Sequence, residues 1–414
     1  MEKRVKFILG EAGTAKTTYL IKIIEELRTK NIACLAFTHS AVNNIKTKCI
    51  NQKNITRSAS NRRLICFKTI HSFLGIVPNA NGYIRNKKCC SFDYDVLIVD
   101  EFTLIPLDIF NMLLSEYVNV VDKIVVAGDL LQLPPPDSYE FVNEELFKDE
   151  KFKVDTDILT AIKIAKHLSQ TAFNSDWFKN SDKMILQKNF RNGSTVKNIL
   201  DEILKIEVIE DFEKLISFSK SKTSGKPFSK INSLINDGYV VIGSKYYLLK
   251  KIMKNWKVKT NDGILTPIGL IDSNQSLYLT ENIDSNFSNG DIVKVVGVYD
   301  EDAEASRANG SYIEIMKENI KIKIKPNSEN VYPLMPLNFI TIHKAQGKTY
   351  DKIIVILDDM FELSMLYTAI TRAKEDVKFV CFNIPKAFKE IKEQNKAFNL
   401  LKQIVYHFEE MPEH

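Results

Sequence analysis

Between Glu26 and Asp93 the sequence has no acidic residue. That stretch carries Arg28, Lys30, Lys46, Lys48, Lys53, Arg57, Arg62, Arg63, Lys68, Arg85, Lys87 and Lys88. A chain of net charge +5 therefore holds a segment of +12 and a remainder of −7. Such a run is often only a solvated face, but one this long also suits a polyanion, because neutralised phosphates release condensed counterions. Other absences narrow the class. No apolar run approaches the roughly 20 residues that span a bilayer. The start, Met1-Glu2-Lys3-Arg4, has no signal-peptide pattern, so an intracellular, cytoplasmic chain is expected. None of the six cysteines (Cys34, Cys49, Cys66, Cys89, Cys90, Cys381) stands in a C-x2-C pair. Reduced thiols are expected, not zinc or disulfides. There is no repeat of fixed period and no low-complexity tract.

What is present is the composition of a folded chain, with 44% hydrophobic and 26% charged residues. At 414 residues, two or three domains are expected. Short β-branched runs alternate with helical patterns, as in parallel α/β sheets. Val5–Leu9, Ala33–Phe37, Val96–Val99 and Lys123–Ala127 are candidate strands of a first such domain. Val240–Ile242, Ile353–Leu357 and Lys378–Phe382 are candidates for a second. Leu20, Ile23, Ile24 and Leu27 lie at helical spacing between the first two strands. Ser217–Lys230 reads as a solvated loop. Residues 257–337 read as an inserted antiparallel β module, with Asn289-Gly290 as a turn signal. Pro78-Asn79-Ala80-Asn81-Gly82-Tyr83 predicts a hairpin within about 75–92.

Gly10-Glu11-Ala12-Gly13-Thr14-Ala15-Lys16-Thr17 follows a strand and opens a helix, the setting a phosphate loop needs. Backbone N–H groups of Gly10, Ala12, Gly13, Thr14, Ala15 and Thr18 are expected to wrap the phosphates of ATP. Lys16 would reach the β and γ oxygens, and Thr17 would ligate Mg²⁺. The second glycine of the usual pattern is Ala15, which costs about 1 kcal/mol if that position needs a positive φ. Val96–Val99 leads into Asp100, a second candidate for Mg²⁺, and Glu101, which can polarise an attacking water. Gly128-Asp129-Leu130-Leu131-Gln132-Leu133-Pro134-Pro135 ends a third strand, and Gln132 could instead be a simple turn residue.

These residues, in this order, resemble the motifs of superfamily 1 helicases. Leu186-Gln187-Lys188-Asn189-Phe190-Arg191 resembles motif IV, whose aromatic stacks on adenine and whose arginine meets the γ-phosphate. Thr341-Ile342-His343-Lys344-Ala345-Gln346-Gly347 resembles motif V. Tyr367-Thr368-Ala369-Ile370-Thr371-Arg372-Ala373-Lys374 resembles motif VI. Ala36-Phe37-Thr38-His39 and Thr69-Ile70-His71-Ser72 resemble motifs Ia and Ib. The resemblance implies two tandem RecA-like domains, an α/β fold, over 1–190 and over 191–256 plus 338–414, with an SH3-like insertion at 257–337. It implies that Lys16, Glu101, Gln132, Arg191 and Arg372 carry the chemistry, with Phe190 and Gly347 beside the nucleotide. Thr38, His39, Lys46, Arg62, Arg63, His71, Tyr83, Thr341, His343 and Lys344 are then candidate contacts to nucleic acid. A histidine bonded inside its own loop is the alternative for His39, His71 and His343.

Motifs III and V look closest to the RecD-like and Dda-like branch, which occurs also in phages and viruses. That branch implies 5′→3′ movement on single-stranded DNA and at strand junctions, as a monomer working with replication proteins, in the host cytoplasm were the source viral. Two further readings fit the same residues: an RNA helicase of the viral replicase type, and a nucleic-acid-binding protein that does not hydrolyse nucleotide. Departures from the family pattern are Ala15, Phe37 in place of a proline, and the lack of a glutamine among the residues before the loop. Weak base selectivity, or a longer parent protein, would account for the last.

Overall fold

A computed structural model describes residues 4–27, 29–51, 64–79, 82–85, 93–135, 158–171, 173, 175–188, 194–216, 218–219, 231, 233–244, 258–259, 265–266, 276–284, 286–287, 291–299, 312–325, 332–358 and 362–406. The first apolar runs become strands β1 (Val5–Gly10) and β2 (Ile32–Ala36), with β3 (Ile65–Thr69) beside β2. Strands β4 (Ile76–Asn79) and β5 (Gly82–Arg85) form a separate antiparallel hairpin. Strands β6 (Val96–Asp100), β7 (Lys123–Gly128) and β8 (Asp182–Leu186) complete a sheet of order β3-β2-β6-β7-β1-β8. Every pair in it is parallel, so helices must make the returns. Helices Lys16–Glu26 and His39–Asn51 pack against it. Because both faces are covered, β2 and β6 are buried along their whole length.

Strands β3 and β8 are not legible as candidates in the sequence. Both lie at the sheet's edges and are only partly buried, so neither shows the unbroken apolar run of a central strand. On one face Ile8, Ile98 and Val125 pack with Leu20 and Ile24 of the first helix. On the other, Phe7 sits edge-on to Phe102 at 5.5 Å and to Phe178 at 5.0 Å.

A second parallel sheet holds β9 (Phe218–Ser219) and β10 (Val240–Gly243). Residues 218–219 thus depart from the expected loop, because they pair with the sheet's edge. Then come the short pair β11 (Val258–Lys259) and β12 (Leu265–Thr266). An antiparallel sheet follows, built from β13 (Ser276–Leu279), β14 (Ile292–Tyr299), β15 (Tyr312–Lys317), β16 (Ile320–Ile324) and β17 (Leu334–Pro336). The chain returns through β18 (Phe339–Thr341), β19 (Tyr350–Ile356) and β20 (Ala373–Cys381), giving a parallel order β18-β10-β19-β20-β9. The predicted Asn289-Gly290 turn lies outside the described residues, as do 86–92 beyond the hairpin.

The antiparallel sheet has its own interior of Leu277, Val293, Val295, Ile313 and Ile315. It is also docked: Tyr278 and Met335 join Val241, Phe339 and Ile354 of the second parallel sheet. The hydroxyl of Tyr278 donates to the Phe339 carbonyl at 2.6 Å. After β20, the long helix Ile384–Tyr406 begins where Asp358 accepts the N–H groups of Phe382 and Asn383. That helix packs on helices Ser194–Lys205 and Ile209–Leu215 and also on Ile158–Ser169, which precedes β8 of the first sheet. It therefore contacts helices of both halves of the chain. Among the described residues no helix is long and apolar enough to cross a membrane.

Candidate nucleotide and nucleic-acid sites

The expected motifs gather at the carboxyl ends of parallel strands, where open α/β sheets bind ligands. Strand β1 ends at Gly10, and a Cβ there would meet Thr14 Oγ1 at 2.4 Å and the Leu186 carbonyl at 2.9 Å. Only glycine fits that approach. Gly13 then takes φ 90° and Ala15 takes φ 63°. Ala15 is thus in the left-handed region, a cost of about 1–2 kcal/mol for an L-residue. Lys16 opens the helix nearly buried, its amine donating to the carbonyls of Gly10 at 2.7 Å and Glu11 at 2.9 Å. A cation held over a loop of this shape can meet phosphate oxygens. Thr18 lies two residues further along, exposed.

Thr17 Oγ1 donates to Asp100 Oδ2 at 3.0 Å. The two expected metal ligands are brought together across the gap between β1 and β6. A hydroxyl and a carboxylate make an all-oxygen pair suited to Mg²⁺, which takes few protein ligands and completes its shell from phosphates and water. Burial and the charge of Glu101 push the Asp100 carboxyl up to about 6, opposed by the Thr17 hydrogen bond and by Lys16. Glu101 itself has φ 52°, a second strained residue at this site. Among the described residues, its Oε2 is buried with no hydrogen-bond partner, as is Gln132 Oε1. Buried polar atoms of that kind call for a ligand or water, so the residues present fit a nucleotide with Mg²⁺.

The turn after β7 joins the two halves of the chain. Asp129 is fully buried. Its Oδ1 accepts from Leu131 N at 3.1 Å and from the Tyr406 hydroxyl at 2.9 Å. Its Oδ2 accepts from Gln132 Nε2 at 3.2 Å and from the Tyr367 hydroxyl at 2.7 Å. The Tyr367 oxygen in turn accepts the Ala12 N–H of the phosphate loop at 2.8 Å. Two further bonds reinforce the contact: Leu133 N to Thr368 Oγ1 at 3.0 Å, and Gln346 Nε2 to the Leu133 carbonyl at 2.9 Å. Burial, then the Asp129 charge, raises both tyrosine phenols well above their ordinary value, so they remain donors.

The resemblance places Arg372 at the nucleotide, but here it is almost wholly buried within the second α/β half. Its guanidinium donates to the Thr368 carbonyl at 3.0 Å, the Lys348 carbonyl at 3.3 Å and Thr371 Oγ1 at 3.1 Å. The motif VI side chain that meets the loop in this conformation is Tyr367, a residue the sequence offers no reason to single out. Tyr406 and Lys402 carry no mark in the sequence, since they belong to an ordinary amphipathic helix. Phe190 and Arg191 lie outside the described residues. Gly347 takes φ 72°, which favours glycine, and a Cβ there would come to 3.9 Å from Ala41.

The nucleic-acid candidates share a local design. Thr38 Oγ1 accepts from Ala41 N, Thr69 Oγ1 from Ser72 N, and Thr341 Oγ1 from Lys344 N. Each threonine follows or ends a parallel strand and caps the next helix, which places His39, His71 and His343 just inside the helical turns. His343 and Lys344 are exposed; His71 is half-buried, and burial lowers its pKa. Its ring lies 5.0 Å from that of Phe37. The Lys344 amine lies 5.1 Å over the Tyr278 ring. Lys46 is exposed on helix His39–Asn51. Tyr83 lies on β5 opposite Pro78. Arg62 and Arg63 lie outside the described residues. Cys34, Cys49 and Cys381 are buried free thiols, and Cys66 is partly buried.

Two parallel α/β sheets, with a phosphate loop on one and the motif V and VI segments on the other, define a nucleotide-dependent enzyme with tandem RecA-like domains. The sequence matches an AAA domain over residues 1–137 and a UvrD-like helicase C-terminal domain over residues 336–380. The RecBCD enzyme subunit RecD of Buchnera aphidicola subsp. Acyrthosiphon pisum is 24% identical, over 90% of this chain and 69% of that protein. The ATP-dependent DNA helicase Pif1 of Campylobacter jejuni is 22% identical, over 67% of each. A solved structure of two coordinating Pif1 helicases at forked double-stranded DNA has a TM-score of 0.48 and 22% identity, covering 91% of this chain and 88% of that one. The chain is thus similar to the superfamily 1 helicases of the RecD and Pif1 type, and these likenesses support an ATP-hydrolysing enzyme.

Proposed function

We propose that the chain is a DNA helicase that moves 5′→3′ along a single strand and opens duplex at junctions. The observation that carries this reading is the Tyr367 hydroxyl, which bonds both Ala12 of the phosphate loop and Asp129 beside Gln132. A nucleotide site wired to the opposite domain lets ligand turnover alter the domain arrangement, as a translocating motor requires.

In this reading Lys16 holds the β and γ oxygens, Glu101 orients and deprotonates the attacking water, and Gln132 bonds the γ-phosphate. Thr17 and Asp100 would hold Mg²⁺, whose charge would offset that of the phosphates. Arg191 and Arg372 approach from the second domain, and Arg372 must first exchange its bonds to Thr368 and Lys348. The first domain runs over 1–190, and 257–337 interrupts the second.

The basic stretch after Glu26, including exposed Lys46 and Lys48, suits contacts to phosphate that position without reading sequence. DNA is favoured because the named relatives are a RecBCD subunit and a DNA helicase. The polarity rests on the likeness of motifs III and V to the RecD-like branch. Duplexes with a single 5′ or 3′ tail test it: ATP should unwind the 5′-tailed substrate alone. Unwinding of only the 3′-tailed one would reverse the polarity, and ATPase stimulation by single-stranded RNA but not DNA would replace the substrate.

A further inference from the structure

The long helix Ile384–Tyr406 ends against the phosphate loop and the Asp129 turn, a placement that none of the nucleotide motifs explains. Lys402 and Tyr406, one helical turn apart, make the contact. The Lys402 amine pairs with Glu11 Oε1 of the loop at 2.5 Å. Tyr406 supplies one of the four hydrogen bonds that hold the buried Asp129 carboxylate.

That carboxylate orients Gln132. With two donors on each oxygen, the group has one favourable rotation, and Gln132 Nε2 is held on Oδ2. Among the described residues, removing the Tyr406 donor leaves Oδ1 with the Leu131 N–H alone. The carboxylate can then turn, and the Gln132 amide loses its fixed direction.

We infer that Tyr406 is a positioning residue for Gln132, and that the end of the long helix forms a third wall of the nucleotide site. The inference rests on the reading above, in which Gln132 bonds the γ-phosphate. Its chemical consequence is specific. A loosened Gln132 slows turnover, whereas ATP affinity, set mainly by the loop, changes little.

The test is Tyr406→Phe in the full chain, which removes one oxygen and keeps the ring. Single-strand-stimulated kcat should fall about tenfold, as for a displaced positioning group, with KM for ATP within about twofold. In a Gln132→Ala background the same change should have no further effect, because residues acting as one unit are not additive. Thermal melting of each variant establishes the folded fraction. Wild-type kcat in Tyr406→Phe, full additivity with Gln132→Ala, or a loss equal to the unfolded fraction would each overturn the inference. Failure of the underlying reading looks different: Lys16→Ala would then leave turnover intact, whatever Tyr406 does.

Discussion

The Tyr367 hydroxyl lies 2.7 Å from Asp129 Oδ2, although the two residues are 238 positions apart in the chain. The same oxygen accepts the Ala12 N–H at 2.8 Å. One phenol thus binds the loop, the turn beside Gln132 and the second domain into a single polar joint, within a core that runs through Leu131, Leu133, Leu366 and Ile370.

Tyr367→Phe should therefore leave the buried Asp129 short of a donor. An unsatisfied buried group costs about 1–3 kcal/mol, so the urea midpoint should fall with the slope unchanged. A variant as stable as the parent would mean that the hydroxyl is not the joint.

Ala15 offers a change in the opposite direction. Its φ of 63° costs an L-residue about 1–2 kcal/mol, and glycine gives back about 0.4–1 kcal/mol through its freer unfolded chain. Ala15→Gly should raise stability by about 1 kcal/mol or less and keep ATPase activity. Destabilisation on denaturant titration would show that the methyl makes contacts that outweigh the strain.

Lys16→Ala and Glu101→Gln should separate two parts of the chemistry. Loss of the Lys16 amine should lower kcat/KM for ATP by about a hundredfold or more, with single-strand affinity largely kept. Glu101→Gln removes the group that takes the water proton, worth about 10²–10⁴ in rate, while a fluorescent nucleotide should still bind. Equal loss of nucleotide binding in both variants would place Glu101 outside the chemistry.

Lys46 and Lys48 are exposed on helix His39–Asn51, which Thr38 caps. Replacing either by alanine should weaken single-strand binding alike for all sequences. Each lost phosphate contact should reduce the slope of log affinity against log salt by about 0.7. An unchanged slope would assign these lysines to a solvated face.

Much of this protein could be read along the chain. The central strands carry buried apolar runs at Phe7–Leu9, Ile32–Ala36, Val96–Val99, Ile124–Ala127, Ile353–Ile356 and Phe379–Cys381, because burial on both faces demands it. The loop, Asp100 and Glu101 announce themselves, since their chemistry depends on neighbours a few residues away. Edge strands β3 and β8 did not, because partial burial leaves no periodic mark.

By itself the sequence determined the two α/β halves, the phosphate loop and the order of its motifs. Only the tertiary structure decided that Ala15 is left-handed, that Arg372 turns into its own domain, and that Tyr367 and Tyr406 close on Asp129. The Tyr406 contact joins residues 277 apart. No local spacing encodes such a bond; it exists because a helix leaving the second sheet packs back across the first and brings a phenol to a buried carboxylate that needs a donor.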